Sequence, residues 1–551
     1  MQSMLRTKLW SAAICVLYLI PSTQSQTAPA PGPVVLKSTT RLVQINVIAQ
    51  DKKGQPIPDL TKQEFHIKVN GKPQPVSVFS VESTGALPQS APVKLPPNTF
   101  TNRLEEREGT PSSVTLLLLD ALNTKFEDQA YAKQQVIQFL RQIQPSDRIA
   151  IYALGRNLRV LHDYTTDASD LVRRLSKYGP QNIPDLAASE PSGALGDDSF
   201  NLDSWMRGGG VSGAEADFYT VNRVQGTLRA IEFIADHVAR IPGRKNLIWV
   251  SGGFPLTIGF DDLSARADPS REQRTFTPEM DRTVRAVNNA NLAIYPVDAR
   301  GLIVDPRFSA ENRMADLRPN TRPSLRPPPG VRNQESMREL ASRTGGRAYY
   351  NTNDLKNAIR EAVEDARLTY TLGFYPSDEK FDGKFHEIKL QVDRPGVNLR
   401  YRKGYFDFGE RPQDDRTRKA ELQDAVWSPI DASAIGLVVK ARRTGPPDAF
   451  EVYVTVESSG ISLEQQGNRW AGRLDIIMVQ KDDGGSQYNA ATDVIELRLL
   501  QPNYQRVLRE GLTYRKLVAR ASQAKSLRVV VRDAASGSIG SVTIPLNQII
   551  G

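Results

Sequence analysis

The stretch that decides the fold is Val114-Thr115-Leu116-Leu117-Leu118-Leu119-Asp120, an apolar run that ends in a carboxylate. A continuous apolar run of this length is typical of a strand that is buried on both faces of a parallel sheet. An amphipathic segment over residues 127–143 follows and predicts a helix. We therefore expect Asp120 at the carboxyl edge of a parallel sheet, where open α/β folds bind their ligands.

The region around this strand alternates between apolar strands and amphipathic helices. Helices are predicted over 127–143, 221–240, 335–343 and 353–366, and further strands over 148–154, 158–162, 246–250, 292–297 and 347–350. Such alternation predicts an α/β doubly wound, Rossmann-like domain over residues 113–366. The segments 178–218 and 299–334 are long and rich in Gly and Pro, which is typical of functional or disordered loops.

In the segments on both sides of this region, apolar and polar residues alternate with a period of two, which predicts β structure. We predict an N-terminal β domain over 34–98, with a polar stretch around 85–112 as a linker. One hypothesis is that the strands in 367–409 complete this N-terminal domain, so that the α/β domain is inserted into it. After a charged linker over 410–426, residues 427–551 predict a β-sandwich domain of immunoglobulin-like form.

The first residues have the pattern of a secretory signal peptide over 1–25. Arg6 and Lys8 precede an apolar run that ends at Pro21, and this run is too short to span a bilayer comfortably. Cys15 is the only cysteine and lies inside this run, so the mature chain is expected to have no disulfide, thiolate metal site or cysteine nucleophile. The prediction is a secreted or periplasmic protein without a transmembrane segment.

The charge of the chain indicates no nucleic-acid partner. Its 71 basic and 62 acidic residues leave a formal net charge of +9, and this excess is dispersed over 551 residues. No basic helix or aromatic platform accompanies the charge, so the ordinary interpretation is a solvated surface. Association with an anionic envelope surface is the most that the charge predicts.

Several motifs in the α/β region resemble the von Willebrand factor type A domain, and more narrowly the related proteins that are abundant in acidobacteria. They span about half of the chain in the expected order: Leu119-Asp120-Ala121-Leu122-Asn123-Thr124, Pro242-Gly243-Arg244-Lys245-Asn246-Leu247-Ile248-Trp249, Ser251-Gly252-Gly253-Phe254-Pro255, Tyr295-Pro296-Val297-Asp298-Ala299-Arg300-Gly301, Leu340-Ala341-Ser342, Thr344-Gly345-Gly346, Tyr370-Thr371-Leu372-Gly373-Phe374-Tyr375 and Tyr401-Arg402-Lys403-Gly404-Tyr405. The resemblance implies a doubly wound fold with a metal-ion-dependent adhesion site above the sheet. It also implies protein binding and no catalysis.

The metal motif of this family is Asp-x-Ser-x-Ser, completed by a Thr and an Asp from two other loops. Asp120 and Thr124 match the first and third positions, whereas Leu122 replaces the first Ser and offers no oxygen. Thr220 or Thr227 could supply the second loop, and Ser251 stands where the third-loop Asp is expected. The resemblance therefore implies a degenerate site for Mg²⁺, a cation that prefers six hard oxygen ligands. The alternative is that Asp120 caps the next turn or bonds Ser251, and that the domain binds without metal.

No catalytic motif is present elsewhere. The histidines His66, His162, His237 and His386 are scattered without metal spacing, and the sequence has neither a Gly-x-Ser-x-Gly elbow nor a phosphate-binding loop. The first hypothesis is therefore an exported, non-enzymatic protein of the adhesion type. It would contact a protein partner through the loops 120–126, 178–218, 251–262 and 299–334. The alternatives are a structural component of a periplasmic or surface envelope assembly and, third, a metal-dependent hydrolase.

Overall fold

The structure is a computed structural model of the chain. It describes residues 42–83, 95–103, 114–144, 147–189, 213–241, 243–258, 274–302, 329–365, 367–376, 384–406, 415–445 and 448–550. The predicted signal peptide, most of the polar stretch 85–112 and large parts of the loops 178–218, 251–262 and 299–334 lie outside these residues. The elements below are numbered in chain order.

The described elements before and within the α/β region follow the alternation that the sequence predicts. The first strands are β1 (Val43–Gln50), β2 (Phe65–Val69), β3 (Lys72–Gln74), β4 (Val78–Ser83) and β5 (Thr99–Thr101). The next strands are β6 (Val114–Asp120), β7 (Ile149–Leu154), β8 (Leu158–Thr165), β9 (Lys245–Ser251), β10 (Thr257–Ile258), β11 (Arg274–Thr275) and β12 (Leu292–Asp298). The helices among them are α1 (Phe126–Leu140), α2 (Ala168–Lys177), α3 (Pro184–Ala188), α4 (Gly213–Val238), α5 (Thr277–Asn289), α6 (Pro329–Thr344) and α7 (Leu355–Glu364).

The remaining described elements are mostly strands. They are β13 (Leu368–Phe374), β14 (Phe385–Val392), β15 (Asn398–Arg400), β16 (Gly404–Phe406), α8 (Asp415–Trp427), β17 (Leu437–Thr444), β18 (Ala449–Val456), β19 (Glu464–Gln466), β20 (Arg469–Lys481), β21 (Gln487–Leu500), α9 (Gln501–Glu510), β22 (Leu512–Ala519), β23 (Ser526–Asp533) and β24 (Ile539–Pro545). Short 3-10 helices cover Lys62–Glu64, Ala121–Asn123, Ser458–Gly460 and Leu546–Gln548.

The central sheet has the order β12-β9-β6-β7-β8. Its strands run parallel except β8, which is antiparallel to β7. Every residue of β6 is buried, and successive leucines enter different cores: Leu116 and Leu118 pack with α4, α5 and α6, whereas Leu117 and Leu119 pack with α1, α2 and α7. Helices therefore cover both faces, and the α/β architecture predicted from the apolar runs is confirmed.

Two β sandwiches flank this domain. In the first, β1 pairs with β13 and β2 pairs with β14, so strands from before and after the α/β region share one core. The sheets have the orders β15-β1-β13-β4 and β16-β14-β2-β3. The second sandwich packs the sheet β22-β18-β17-β5 against a sheet built on β20, β23 and β24. The immunoglobulin-like form of these domains stays a prediction.

The structure differs from the sequence-based predictions at three short segments. Residues 415–427 of the predicted linker 410–426 form α8, because Leu422, Ala425 and Val426 bury themselves on the second sandwich. The polar stretch 85–112 contains β5, which pairs with β17. The predicted strand 347–350 contributes only a single bridge between Val297 and Tyr349. Among the described residues, no helix is both long and apolar enough to cross a membrane.

Candidate functional site

The candidate site is built around Asp120, the last residue of β6 at the carboxyl edge of the sheet. Its carboxylate is almost fully buried and accepts hydrogen bonds from four donors. Oδ1 accepts from the Asn123 backbone N–H at 3.1 Å, and Oδ2 accepts from Asn123 Nδ2 at 2.8 Å. Oδ2 also accepts from Trp249 Nε1 at 2.9 Å and Ser251 Oγ at 2.7 Å, both on the adjacent strand β9. We call Asp120, Asn123, Trp249 and Ser251 the Asp120 cluster.

Burial dominates the electrostatics of this carboxyl group. Removal from water raises the pKa of Asp120 above its usual range, and the hydrogen bonds from Asn123, Ser251 and Trp249 oppose that rise. A buried acceptor of this kind is stable only when its lone pairs are satisfied, and here donors from strand β9 and from the turn after β6 satisfy them. The Asp120 cluster therefore fixes the turn after β6 against β9.

Asn123 connects the cluster to α4. Its Nδ2 donates to Thr227 Oγ1 at 2.6 Å, and its Oδ1 accepts from Arg223 Nη1 at 2.6 Å. Thr227 Oγ1 in turn donates to the Arg223 carbonyl at 2.9 Å. Because Arg223 and Thr227 are one helical turn apart, both face the same side chain on the sheet edge. The turn after β6 is thus held by α4 as well as by β9.

The loop after β9 packs closely against the same turn. The Gly252 N–H donates to Thr124 Oγ1 at 3.1 Å, and the Gly253 N–H donates to Ser251 Oγ at 2.9 Å. A Cβ on Gly252 would lie 2.4 Å from the Asn123 carbonyl oxygen, a distance that no side chain tolerates. Gly253 has a φ of +70°, which favours glycine. The Ser251-Gly252-Gly253 motif is therefore required for the approach of the two loops.

The structure brings three of the four predicted site residues together. Asp120, Thr124 and Ser251 meet at the sheet edge, whereas the Thr220 hydroxyl donates to the carbonyl of Ala216 on its own helix. Thr227, the other candidate from the sequence, is the threonine that contacts Asn123. Leu122 packs in the core against α4. Sequence reasoning did not identify Trp249 and Arg223, although Trp249 lies within a matching motif.

The donor set does not fit a Mg²⁺ ion. Two N–H donors, Asn123 Nδ2 and Trp249 Nε1, point their hydrogens at the Asp120 oxygen that a metal would need. An indole N–H is a donor only and cannot ligate a cation. Leu122 adds no oxygen, and within the described ranges no group of three or more His, Cys, Asp and Glu residues could hold a metal ion. The arrangement replaces metal ligation by hydrogen bonds.

A second buried carboxylate lies at the same edge, at the end of β12. Asp298 is in register with Ser251 and receives a bidentate contact from Arg300, with Nε and Nη2 each at 2.8 Å from a carboxylate oxygen. Gln334 Nε2 of α6 donates to Asp298 Oδ2 at 3.1 Å. Such a bidentate pair fixes both the distance and the orientation of the guanidinium group. The loop after β12 is therefore anchored in the same way as the turn after β6.

Three exposed apolar side chains lie on segments that these polar contacts hold. Phe126 begins α1 directly after the turn, Leu302 follows β12, and Phe218 lies near the start of α4; they are 51%, 57% and 60% exposed. Leu302 is held by its N–H, which donates to Asn353 Oδ1 at 2.8 Å. The Asn353 carbonyl also accepts from the hydroxyl of Tyr131 on α1. We call Phe126, Phe218 and Leu302 the sheet-edge apolar set.

Several of the solved structures to which the chain is similar are von Willebrand A domain proteins. One is the von Willebrand domain of the type V pilus tip protein Mfa5 from Porphyromonas gingivalis, with 11% identity, a TM-score of 0.26, and coverage of 46% of this chain and 93% of that one. A von Willebrand factor type A protein from Catenulispora acidiphila has 9% identity, a TM-score of 0.24, and coverage of 86% and 73%. Proximal thread matrix protein 1 from the mussel byssus, with a zinc-occupied metal motif, has 8% identity, a TM-score of 0.24, and coverage of 47% and 46%.

The first two of these proteins carry the family name that the sequence motifs indicate. At TM-scores of this size the likeness supports no functional statement about this chain. No protein-family model matches the chain. None of the curated proteins matches it either.

Proposed function

We propose that the protein is an exported, non-enzymatic binding protein of the adhesion type, which contacts a protein partner through the carboxyl edge of its α/β sheet without a metal ion. The observation that carries this proposal is the sheet-edge apolar set, whose three exposed members lie on separate segments that the buried polar contacts hold. Single exposed apolar residues are common on protein surfaces. Three exposed apolar residues on segments tied to the edge where open α/β folds bind ligands favour a binding role.

The polar anchors support this role because they hold the exposed residues in place. The Asp120 cluster fixes the turn that precedes Phe126, and Asp298 with Arg300 fixes the loop that leads to Leu302. A surface that is ordered before binding loses less conformational entropy when the partner arrives. The buried carboxylates therefore act as positioning groups and not as metal ligands or catalytic groups.

The proposal is tested by capture of partners from a cell-envelope extract with immobilised protein. Phe126→Ser and Leu302→Ser should each weaken capture about tenfold or more, since a truncated apolar anchor costs about 2 kcal/mol at the centre of an interface. Leu517→Ser on β22, where the side chain is 56% exposed, is the matched control and should leave capture unchanged. Addition of EDTA should also leave capture unchanged. Capture that persists in Phe126→Ser and Leu302→Ser would contradict the proposal.

A second candidate function is a structural component of a periplasmic or surface envelope assembly. The observation that favours it lies on the outer face of the second sandwich, where Leu517 of β22 and Tyr453 of β18 are 56% and 36% exposed. Register places Tyr453 opposite Arg515, two residues from Leu517 on the same face. This candidate predicts the reverse outcome of the same experiment: Leu517→Ser reduces capture, and the sheet-edge variants do not.

A further inference from the structure

A groove of about 580 Å³ separates the α/β domain from the second sandwich. Its walls are α4 and α5 on one side and α8 on the other, and residues 536–539, between β23 and β24, line its end. The two sides are joined firmly at one end, because the Ser433 N–H donates to the Asp236 carbonyl at 2.8 Å and the Ser433 hydroxyl donates to the His237 carbonyl at 2.7 Å. The groove is therefore a fixed feature of the domain junction.

Most charged side chains that line the groove already have protein partners. Arg282 of α5 donates to Glu232 of α4 at 3.0 Å, and the Thr283 hydroxyl also donates to Glu232, at 2.7 Å. Arg528 of β23 donates to Asp431 at 3.1 Å. These contacts satisfy the arginines from within the protein.

The acidic residues of α8 are paired as well. Glu421 accepts from Arg532 at 2.8 Å, and Asp424 lies 3.4 Å from Arg229. Among the acidic residues that line the groove, Asp236 of α4 differs, because its side chain makes no hydrogen bond or ion pair with any residue of the described ranges. Burial and the nearby carboxylates of Glu232 and Glu421 raise the pKa of Asp236 to about 7. As far as the described residues show, the groove thus holds an acidic group without a compensating partner.

We propose that the groove binds a small organic cation, an aliphatic chain that ends in an ammonium or guanidinium group, with the cationic end on the Asp236 carboxylate. An ammonium or guanidinium group supplies the charge and the N–H donors that Asp236 lacks. An anion would bring this carboxylate neither a positive charge nor a hydrogen-bond donor. A metal ion is not indicated, since the described residues offer no group of three or more suitable ligands.

The shape and lining of the groove fit such a ligand. Its volume lies in the range of ordinary small-molecule sites, which occur preferentially at domain interfaces. Small apolar side chains from three helices leave room for an aliphatic chain: Ala239, Ala286, Ala290, Ala420 and Ala425. The ligand would bury its methylene groups against these alanines and its charged end against Asp236. This inference is independent of the proposed function at the sheet edge.

Binding should depend on pH, because the cation pairs with the ionised form of Asp236. The other groups that face the groove are Glu232 of α4, Arg282 and Arg285 of α5, Arg416, Glu421 and Asp424 of α8, and Arg528 of β23. Burial also raises the pKa of Glu232 and of Asp424, and arginine partners oppose those two rises, whereas no arginine opposes the rise at Asp236. Affinity should be about tenfold lower at pH 6 than at pH 8.

The experiment is isothermal titration calorimetry of the full chain with cadaverine and with agmatine, each compared with a neutral alcohol of similar length. We expect saturable binding of the amines and none of the alcohol. Asp236→Asn keeps the shape of the side chain, removes its charge, and should reduce amine affinity at pH 8 by about tenfold or more. Asp128→Asn, on α1 at the opposite side of the domain, is the control and should bind as the unmodified protein does.

Two results would overturn the inference: no saturable amine binding at pH 8, or equal amine affinity in Asp236→Asn and the unmodified protein. Circular dichroism of Asp236→Asn separates loss of binding from loss of folding. A folded variant that no longer binds supports the inference. If this variant does not fold, the pH dependence in the unmodified protein decides, and an affinity that is equal at pH 6 and pH 8 contradicts it.

Discussion

Lys245 allows a test of how much a buried charge lowers the free energy of unfolding of this protein. It is the first residue of β9, at the amino end of the sheet, and is only 1% exposed. Its Nζ donates to the carbonyl of Ile241, which follows the end of α4. Burial lowers the pKa of Lys245 to about 7, and Glu82 opposes this shift only in part. We expect Lys245→Met to stabilise the protein at neutral and acidic pH.

The magnitude follows from the difference between the folded and unfolded pKa values, about 7 and 10.5. The unfolded chain binds the proton more tightly, so the stability of the unmodified protein rises as pH increases from 7 to 10.5. At 1.36 kcal/mol per pKa unit, Lys245 costs about 5 kcal/mol near pH 6, about 3 near pH 8 and about 1 near pH 10. Methionine fills the same volume but leaves the Ile241 carbonyl without this donor, which costs about 1 kcal/mol.

The assay is urea unfolding of the unmodified protein and Lys245→Met at a series of pH values. The variant should be more stable by about 4 kcal/mol near pH 6, and the two proteins should be equally stable near pH 10. Other titrating groups contribute equally to both proteins and cancel in the difference. A stability difference that stays constant between pH 6 and pH 10 would refute the reasoning.

Other predictions concern stability and metal ions. Asp236→Asn should show the opposite pH dependence in urea unfolding, because the pKa of Asp236 is about 7 in the folded protein and 3.8 in the unfolded chain. The variant should be more stable than the unmodified protein by about 4 kcal/mol near pH 8 and by almost nothing near pH 4. Asn123→Ala should lower stability by about 2 kcal/mol, because it removes a buried donor from Asp120, and a variant as stable as the parent would count against the cluster. Arg528→Met should cost about 3–5 kcal/mol, measured by urea unfolding, since it leaves Asp431 without its guanidinium partner. Neither Mg²⁺ nor EDTA should shift Tm, and a shift on Mg²⁺ addition would restore the metal hypothesis.

The α/β domain could be predicted from the sequence because its signals are local. The apolar runs in β6, β9 and β12 are long enough to indicate burial on both faces, and parallel direction then places Asp120, Ser251 and Asp298 at one edge. The joining of the N-terminal β segment with residues 367–409, seen in the pairing of β1 with β13, could be stated only as a hypothesis. Its basis was that each segment alone has too few strands. In contrast, β5 has only three residues and pairs with β17, and so short a segment carries no periodic pattern.

The sequence could not decide whether Thr220 or Thr227 lies at the site near Asp120. The two residues are seven positions apart on α4, two helical turns, so they lie on the same face and pattern alone cannot separate them. Packing separates them, because Thr227 reaches Asn123 and Thr220 bonds its own helix. The same limit applies to Leu122, whose place in the metal motif gave no indication that it packs in the core.

The sequence by itself determined that an acidic residue stands at the end of a buried parallel strand. Only the tertiary structure decided what that residue does. The donors to Asp120 come from the turn after β6 and from β9, and α4 holds Asn123 in place. Their directions depend on how distant segments pack, and hydrogen bonds are short and directional. That Asp236 has no partner among the described residues was likewise decided by tertiary structure, because its groove forms only where α4, α5 and α8 come together.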